Sequence, residues 1–124
     1  MALPVDEAAL QRKAMLLVRA MIQAAKADSQ IDAEEMARIM GRLAEAGETD
    51  AARQAVLQAM RQPVDVAGLA AEARDPQEAV EVYAASLMAI TVDSPAERDY
   101  LARLAAALKL PAEAVAHIQA KLGG

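Results

Sequence analysis

The sequence predicts an all-α fold, a single domain over residues 1–124 built from six to seven helices. Three observations predict it. The apolar mass comes from Ala, Leu, Met, Val and Ile, with two Tyr and no Phe or Trp, and Ala, Leu, Met, Glu and Arg favour helix over strand. Apolar residues recur at three- and four-residue spacing, while no strand-like alternation occurs. Helix starts and stops are written repeatedly, as Asp, Ser and Thr caps, Pro in first turns and Gly or Pro at ends.

The first helix is expected from about Asp6 to Ala27. Leu10, Ala14, Leu17, Met21 and Ala24 form one stripe, which Met15, Val18, Ile22 and Ala25 widen, with only Arg19 and Gln23 interrupting. A stripe this wide needs contact on several sides, so this helix is expected to be central. Asp32 caps the second helix, with Glu35 at capping-box spacing. Ile39, Met40 and Leu43 supply its apolar face, and Gly47 ends it. A third helix starts at Thr49 or Asp50 with Ala52, Val56, Leu57 and Met60 inward, and Gln62-Pro63 breaks it. A short helix follows Asp65, carrying Val66, Leu69 and Ala70.

Asp75-Pro76 opens the next helix, with Pro where its missing N–H is harmless. Glu81 is the only charge from Ala79 to Val92, and Val80, Tyr83, Ala84, Leu87, Met88 and Thr91 form a broad face. This is the second central helix. Ser94-Pro95-Ala96-Glu97 reads as a capping box, with Leu101, Leu104, Ala105 and Leu108 inward after it. Leu110-Pro111 resets the chain, and a last helix carries Val115, Ile118 and Leu122.

The chain also aligns with itself at an offset of 65 residues. Asp28-Ser29 meets Asp93-Ser94, Ala37-Arg38 meets Ala102-Arg103, and Leu43 meets Leu108. Alanine matches are cheap in an Ala-rich chain, but the Asp-Ser and Ala-Arg matches keep one register. They suggest an internal repeat, residues 14–46 and 79–111, in which an apolar helix turns an acidic corner into a second helix.

Composition excludes several function classes. With no Cys there are no disulfides or thiolate metal sites. A formal charge of −5 and no Lys/Arg-rich run argue against a nucleic-acid partner. Met1-Ala2-Leu3-Pro4-Val5-Asp6 has neither the basic start nor the apolar stretch of a signal peptide. The apolar runs are too short to span a bilayer, so the segment is expected to be soluble and not to insert in a membrane.

Ala24-Ala25-Lys26-Ala27-Asp28-Ser29-Gln30-Ile31-Asp32-Ala33-Glu34-Glu35 resembles the AKADGxIDxxE segment of TerB-like domains. Leu16-Leu17-Val18-Arg19-Ala20-Met21, Pro63-Val64-Asp65, Glu78 to Ser86, Glu97-Arg98-Asp99-Tyr100-Leu101 and Ala105 to Pro111 resemble one branch, the YebE-type inner-membrane proteins. Ser29 stands where that pattern has Gly, so the first corner must tolerate a side chain where a positive φ would favour none. The resemblance implies an all-α fold with two related halves and no established activity. It also implies that longer relatives add a membrane-associated apolar segment and belong to the bacterial envelope, this chain matching their soluble C-terminal domain.

Asp28, Asp32, Glu35, Asp93 and Glu97 are the candidate metal ligands. Hard cations such as Ca²⁺ or Mg²⁺ take several oxygen ligands, and two adjoining corners would supply four or five carboxylates. Such binding is suspected for the TerB-like family. Capping alone explains Asp32 with Glu35, and Ser94 with Glu97, and is the stronger reading there; Asp28 and Asp93 lie just outside the caps and are harder to account for in that way. An EF-hand is excluded, because Ala33 replaces its glycine and Ile39 stands where the bidentate Glu belongs. The corners can share a cation only if the central helices run parallel or cross. Antiparallel packing puts them tens of ångströms apart, at roughly 1.5 Å per residue.

His117 is the only histidine and does not make a zinc site; it is expected at the core edge. No Ser, Thr or Tyr has an evident base partner, so nucleophilic catalysis has no support. The seven Met fill a core poor in aromatics or line a groove for a partner. The expectation is a non-enzymatic, envelope-associated domain with a protein partner that the sequence does not identify. The alternative is a divalent-cation-binding or sensing module on the acidic corners.

Overall fold

A computed structural model describes residues 7–28, 33–45, 50–90 and 94–122. Among them are seven α-helices and no strand: α1 (Glu7–Ala25), running directly into a 3₁₀ turn (Lys26–Asp28), α2 (Ala33–Glu45), α3 (Asp50–Arg61), α4 (Val66–Ala71), α5 (Pro76–Ala89), α6 (Pro95–Ala107) and α7 (Ala112–Leu122).

The two apolar helices form the centre. Leu16, Leu17, Val18, Ala20, Met21, Ile22, Ala24 and Ala25 of α1 are all buried, a nearly continuous run interrupted only by the partly exposed Arg19 and Gln23. α5 packs along α1 as its principal neighbour. Their direction follows from three contacts. Arg12 Nη2 reaches Glu78 Oε2 at 2.5 Å and Lys13 Nζ reaches Glu81 Oε1 at 2.8 Å, while Ser86 Oγ lies 3.4 Å from the Ala20 carbonyl. Partners advance together along both helices, so α1 and α5 run parallel, in a register close to the 65-residue offset of the sequence alignment. Fully buried Ala20 keeps its side chain small where Ser86 of α5 approaches; interaxial distance depends on such residues.

The other helices surround this pair. α2 and α3 pack on α1, and α6 and α7 pack on α5. α2 also reaches α5, α6 reaches α1 and the 3₁₀ turn, and α4 bridges α1 and α6. Tyr83 of α5 accepts a hydrogen bond from Gln119 Nε2 of α7 at 3.0 Å. Lys26 Nζ donates to the Met60 carbonyl at 2.8 Å and to that of Gln62, tying the end of α3 to the end of α1.

Local chemistry sets the ends. Asp65 caps α4 by accepting from Gly68 N at 3.0 Å. A Cβ on Gly68 would stand 2.3 Å from Asp65 Oδ2, so a side chain there would force the cap carboxylate to shift. α6 ends in a Schellman arrangement: Leu110 N donates to Ala105 O at 3.0 Å and Lys109 N to Ala106 O at 3.1 Å. Lys109 takes φ 59° there, a position glycine usually fills.

Four residues expected to face inward are exposed: Met40 of α2, Leu57 of α3, Met88 of α5 and Leu122 of α7. Each sits at the margin of a wide apolar stripe. Periodicity marks such a position as apolar, but only a further packed helix buries it. His117, expected at the core edge, is likewise exposed.

Candidate functional site

Parallel packing carries the C-terminal ends of α1 and α5 to one end of the molecule. There the chain turns through Lys26–Asp28 after α1 and passes from α5 into α6. Arg38 of α2 donates to the Ala89 carbonyl at 3.2 Å and pairs with Glu34 at 2.7 Å. It therefore satisfies one of the acceptors that the end of α5 leaves without a helical donor. The 3₁₀ turn packs on α6. α2 thus lies against the end of α5, and α6 against the turn that ends α1.

Two of the five predicted ligands have described side chains. Glu35 is at the third position of α2 and buried, and Glu97 is at the third position of α6 and 1% exposed. Ser94 caps α6: its Oγ accepts from Glu97 N at 3.2 Å and donates to Glu97 Oε1 at 3.1 Å. The expected capping box is therefore present in a variant form, with the carboxylate reaching the cap hydroxyl. Both acids also stand in first turns, where the helix dipole favours negative charge. The Asp28 backbone ends the 3₁₀ turn. Its side chain, Asp32 and Asp93 lie outside the described residues, as does the separation of the two aspartates. Among the described residues no group of three His, Cys, Asp or Glu could hold a metal ion.

Sequence reasoning does not single out a second polar cluster. Glu78 sits near the start of α5, where Asp75 Oδ1 accepts from Glu78 N at 2.8 Å and Glu78 Oε1 accepts from Arg74 N at 3.0 Å. Arg12 adds the ion pair from α1 and donates to the Glu72 carbonyl at 3.4 Å. The Arg74 N–H, then the Arg12 guanidinium, hold the Glu78 carboxyl below the usual range. The Glu81 carboxylate beside Lys13 holds its ammonium above its ordinary value. The signal is nevertheless present in the sequence: Arg12, Lys13, Arg19, Glu78 and Glu81 are charges set into the two central helices. Further along α1, an open groove of about 330 Å³ is lined by Arg19, Gln23, Gln62, Asp65 and Glu72 among others. Its polar groups are matched within the fold: Arg19 pairs with Glu72 at 2.6 Å, and Gln23 Oε1 accepts from Asp65 N at 3.0 Å.

Comparisons with known proteins find one family model and a curated relative. The family described as "Protein of unknown function (DUF533)" matches residues 2–122. A protein of Yersinia enterocolitica described as "Uncharacterized protein in ampR 5'region" is 38% identical over 104 residues, spanning 84% of this chain and 75% of the relative. No solved structure matches the chain.

Proposed function

Since the chain belongs to the DUF533 family of proteins of unknown function, we propose that it is a non-enzymatic interaction domain, envelope-associated in its longer relatives through the TerB-like, YebE-type resemblance. The observation that carries the reading is the set of large apolar side chains left in solvent. Met40 is 39% exposed, Leu57 50%, Met88 56% and Leu122 45%, on four helices of a domain whose core is otherwise well covered. Exposed apolar surface of this kind marks interaction sites when it is contiguous. The non-enzymatic part draws support from the hydroxyls. Ser86 donates to the Val82 carbonyl at 2.8 Å within the core, and Tyr83 is engaged by Gln119. No described helix is long and apolar enough to cross a membrane.

The test is site-specific photo-crosslinking in the native host at positions 40, 57, 88 and 122. A discrete protein adduct at one or more positions is expected. Absence of adducts at all four overturns the interaction reading. Turnover in a broad hydrolase screen, lost in an Asp28→Ala/Asp93→Ala double variant, overturns the non-enzymatic part.

A second reading, a divalent-cation module, is favoured by the parallel direction of α1 and α5, the packing under which the sequence allows the two acidic corners to share an ion. Oxygen–metal bonds of roughly 2.3–2.6 Å require Asp28 and Asp93 within about 8 Å for a shared ion. Melting temperature during Ca²⁺, Mg²⁺ and Zn²⁺ titration decides it. A rise in the wild type that disappears in the double variant is expected if the module exists; none at millimolar cation excludes it.

A further inference from the structure

We propose that the first turns of α1, residues 7–15, form an acid-released strap, held by charge to the start of α5 and able to detach while residues 16–25 stay seated in the core. The device is a property of the fold and is independent of the interaction reading.

α1 changes character at Leu16. From there to Ala25 every side chain is buried except Arg19 and Gln23, and burial of apolar area holds that stretch in place. Arg12, Lys13, Ala14 and Met15 are only half-buried, with Met15 packed against the core. The polar attachments of this stretch are ionic. Arg12 Nη2 pairs with Glu78 at 2.5 Å, Arg12 Nη1 donates to the Glu72 carbonyl at 3.4 Å, and Lys13 Nζ pairs with Glu81 at 2.8 Å. The Arg12 Nε is buried and has no hydrogen-bond partner among the described residues. A polar network left partly unsatisfied is a costly way to hold a helix, and regions with few buried apolar contacts open first.

Acid acts on this attachment through its carboxylates, because arginine and lysine stay charged. Glu78 is the buried one. The Arg74 N–H and then Arg12 hold its carboxyl below the usual range, and Lys13 adds to their effect. Glu81, Glu78 and Asp75 act in turn on Lys13. The other elements around α5 place their charges elsewhere. Glu72, after α4, turns its side chain to Arg19, and Arg38 of α2 sits at the far end of α5, at Ala89. In α6, Glu97 bonds Ser94 at the helix start. α6 and α7 turn Arg98, Asp99, Arg103, Glu113, His117 and Lys121 to solvent.

A carboxyl held low in the folded state gives its full stabilisation above the unfolded value and loses it as pH falls through the folded one. Once Glu78 is protonated, Arg12 faces an uncharged acid and the strap loses its buried ionic hold. Residues 16–25 contain no acid. Their one cation, Arg19, meets Glu72, 41% exposed, at the surface, where ion pairs contribute little. Acid therefore loosens one stretch of α1 and spares the seat of the other. Release leaves the first turns of α5, where Ala79 and Val82 are buried, without the neighbour that the two ion pairs set beside them.

Hydrogen exchange of the intact chain, read amide by amide against urea, tests the strap. Amides 11–15 are compared with amides 20–25, because the first four N–H groups of a helix lack a helical acceptor. At neutral pH amides 11–15 are expected to be about tenfold less protected than amides 20–25 and to show a shallower urea slope, the mark of an opening that exposes little surface. At about pH 3, below the ordinary carboxylate range, protection at 11–15 is expected to be lost while 20–25 remain protected. A Glu78→Gln/Glu81→Gln variant keeps the acceptors and removes the charges. It is expected to lower protection at 11–15 by about tenfold at neutral pH, the equivalent of one pKa unit, and to flatten the response to acid. If that variant does not fold, Glu81→Gln alone, at a half-exposed acid, is expected to give a smaller loss at the same amides. Two results overturn the proposal. One is a single protection factor and urea slope for 11–15 and 20–25, which means that α1 opens only with the whole domain. The other is protection at 11–15 that neither acid nor the variants change, which means that charge does not hold the strap.

Discussion

The two tyrosines carry the same group into opposite circumstances. Tyr83 accepts from Gln119 Nε2, whereas Tyr100 is fully buried and its hydroxyl has no hydrogen-bond partner among the described residues. Burial pushes the Tyr100 pKa up, with a small opposing influence from Arg103, so the phenol stays neutral. An unmet buried donor costs about 1–3 kcal/mol, while a satisfied hydrogen bond contributes about 1 kcal/mol net. Tyr100→Phe is therefore expected to leave stability unchanged or raise it by about 1 kcal/mol, and Tyr83→Phe to lower it by about the same amount. Urea denaturation midpoints at constant m-value check both. A loss at Tyr100 as large as at Tyr83 would mean that its hydroxyl has a partner in solution.

Single elements are held by small polar devices that couple residues. In α4, Gly68 and the Asp65 cap exclude a side chain between them. Replacing a helical glycine by alanine ordinarily gains about 1 kcal/mol, and losing an N-cap costs about 0.5–2 kcal/mol. Gly68→Ala alone is thus expected to give no gain, because the methyl expels the cap. In an Asp65→Ala background the same change should stabilise by about 1 kcal/mol. Thermal melts of the four-member cycle read that coupling, and additivity would refute it. At the start of α5, Glu78 couples the helix to α1. Its carboxyl is held below the usual range on folding, so its stabilisation is complete above the unfolded value and lost as pH falls through the lower folded value. Stability is expected to decline below about pH 4, and Glu78→Gln should flatten that decline without changing the slope near neutrality. Denaturant midpoints measured from pH 2.5 to 7 make the comparison.

Over the whole molecule, the parallel direction of α1 and α5 is the decisive arrangement. Three helices, α2 to α4, return the chain to the starting end before α5 begins. That return brings the C-terminal ends of α1 and α5 to a common end and pairs Lys13 with Glu81. A zero-length carbodiimide, which joins amines to carboxylates in contact, is expected to link Lys13 to Glu81 in the native chain, 2.8 Å apart. Peptide mass spectrometry identifies the adduct, and urea should abolish it. Failure to form that link in the native state would contradict the parallel register of α1 and α5.

The sequence by itself determined the helices, and did so locally. Ser94 announced a cap, and Asp65 a helix start, that the structure contains, and the broad stripes of the first and fifth helices announced the buried centre. It also marked Glu35 and Glu97 as first-turn acids, both of which are buried. These features depend on hydrogen bonds and apolar spacing within a few residues, which composition and order express directly. Tertiary structure alone decided the rest. Periodicity left Met40, Leu57, Met88 and Leu122 looking like core, because burial at the edge of a stripe depends on a neighbour distant in sequence. Nor did it say that Arg12 and Lys13 would find Glu78 and Glu81, or that the central helices would run parallel, since both antiparallel and parallel packing bury the same apolar stripes. In the folded chain that direction appears in the ion pairs between α1 and α5 and in the path of the three helices between them.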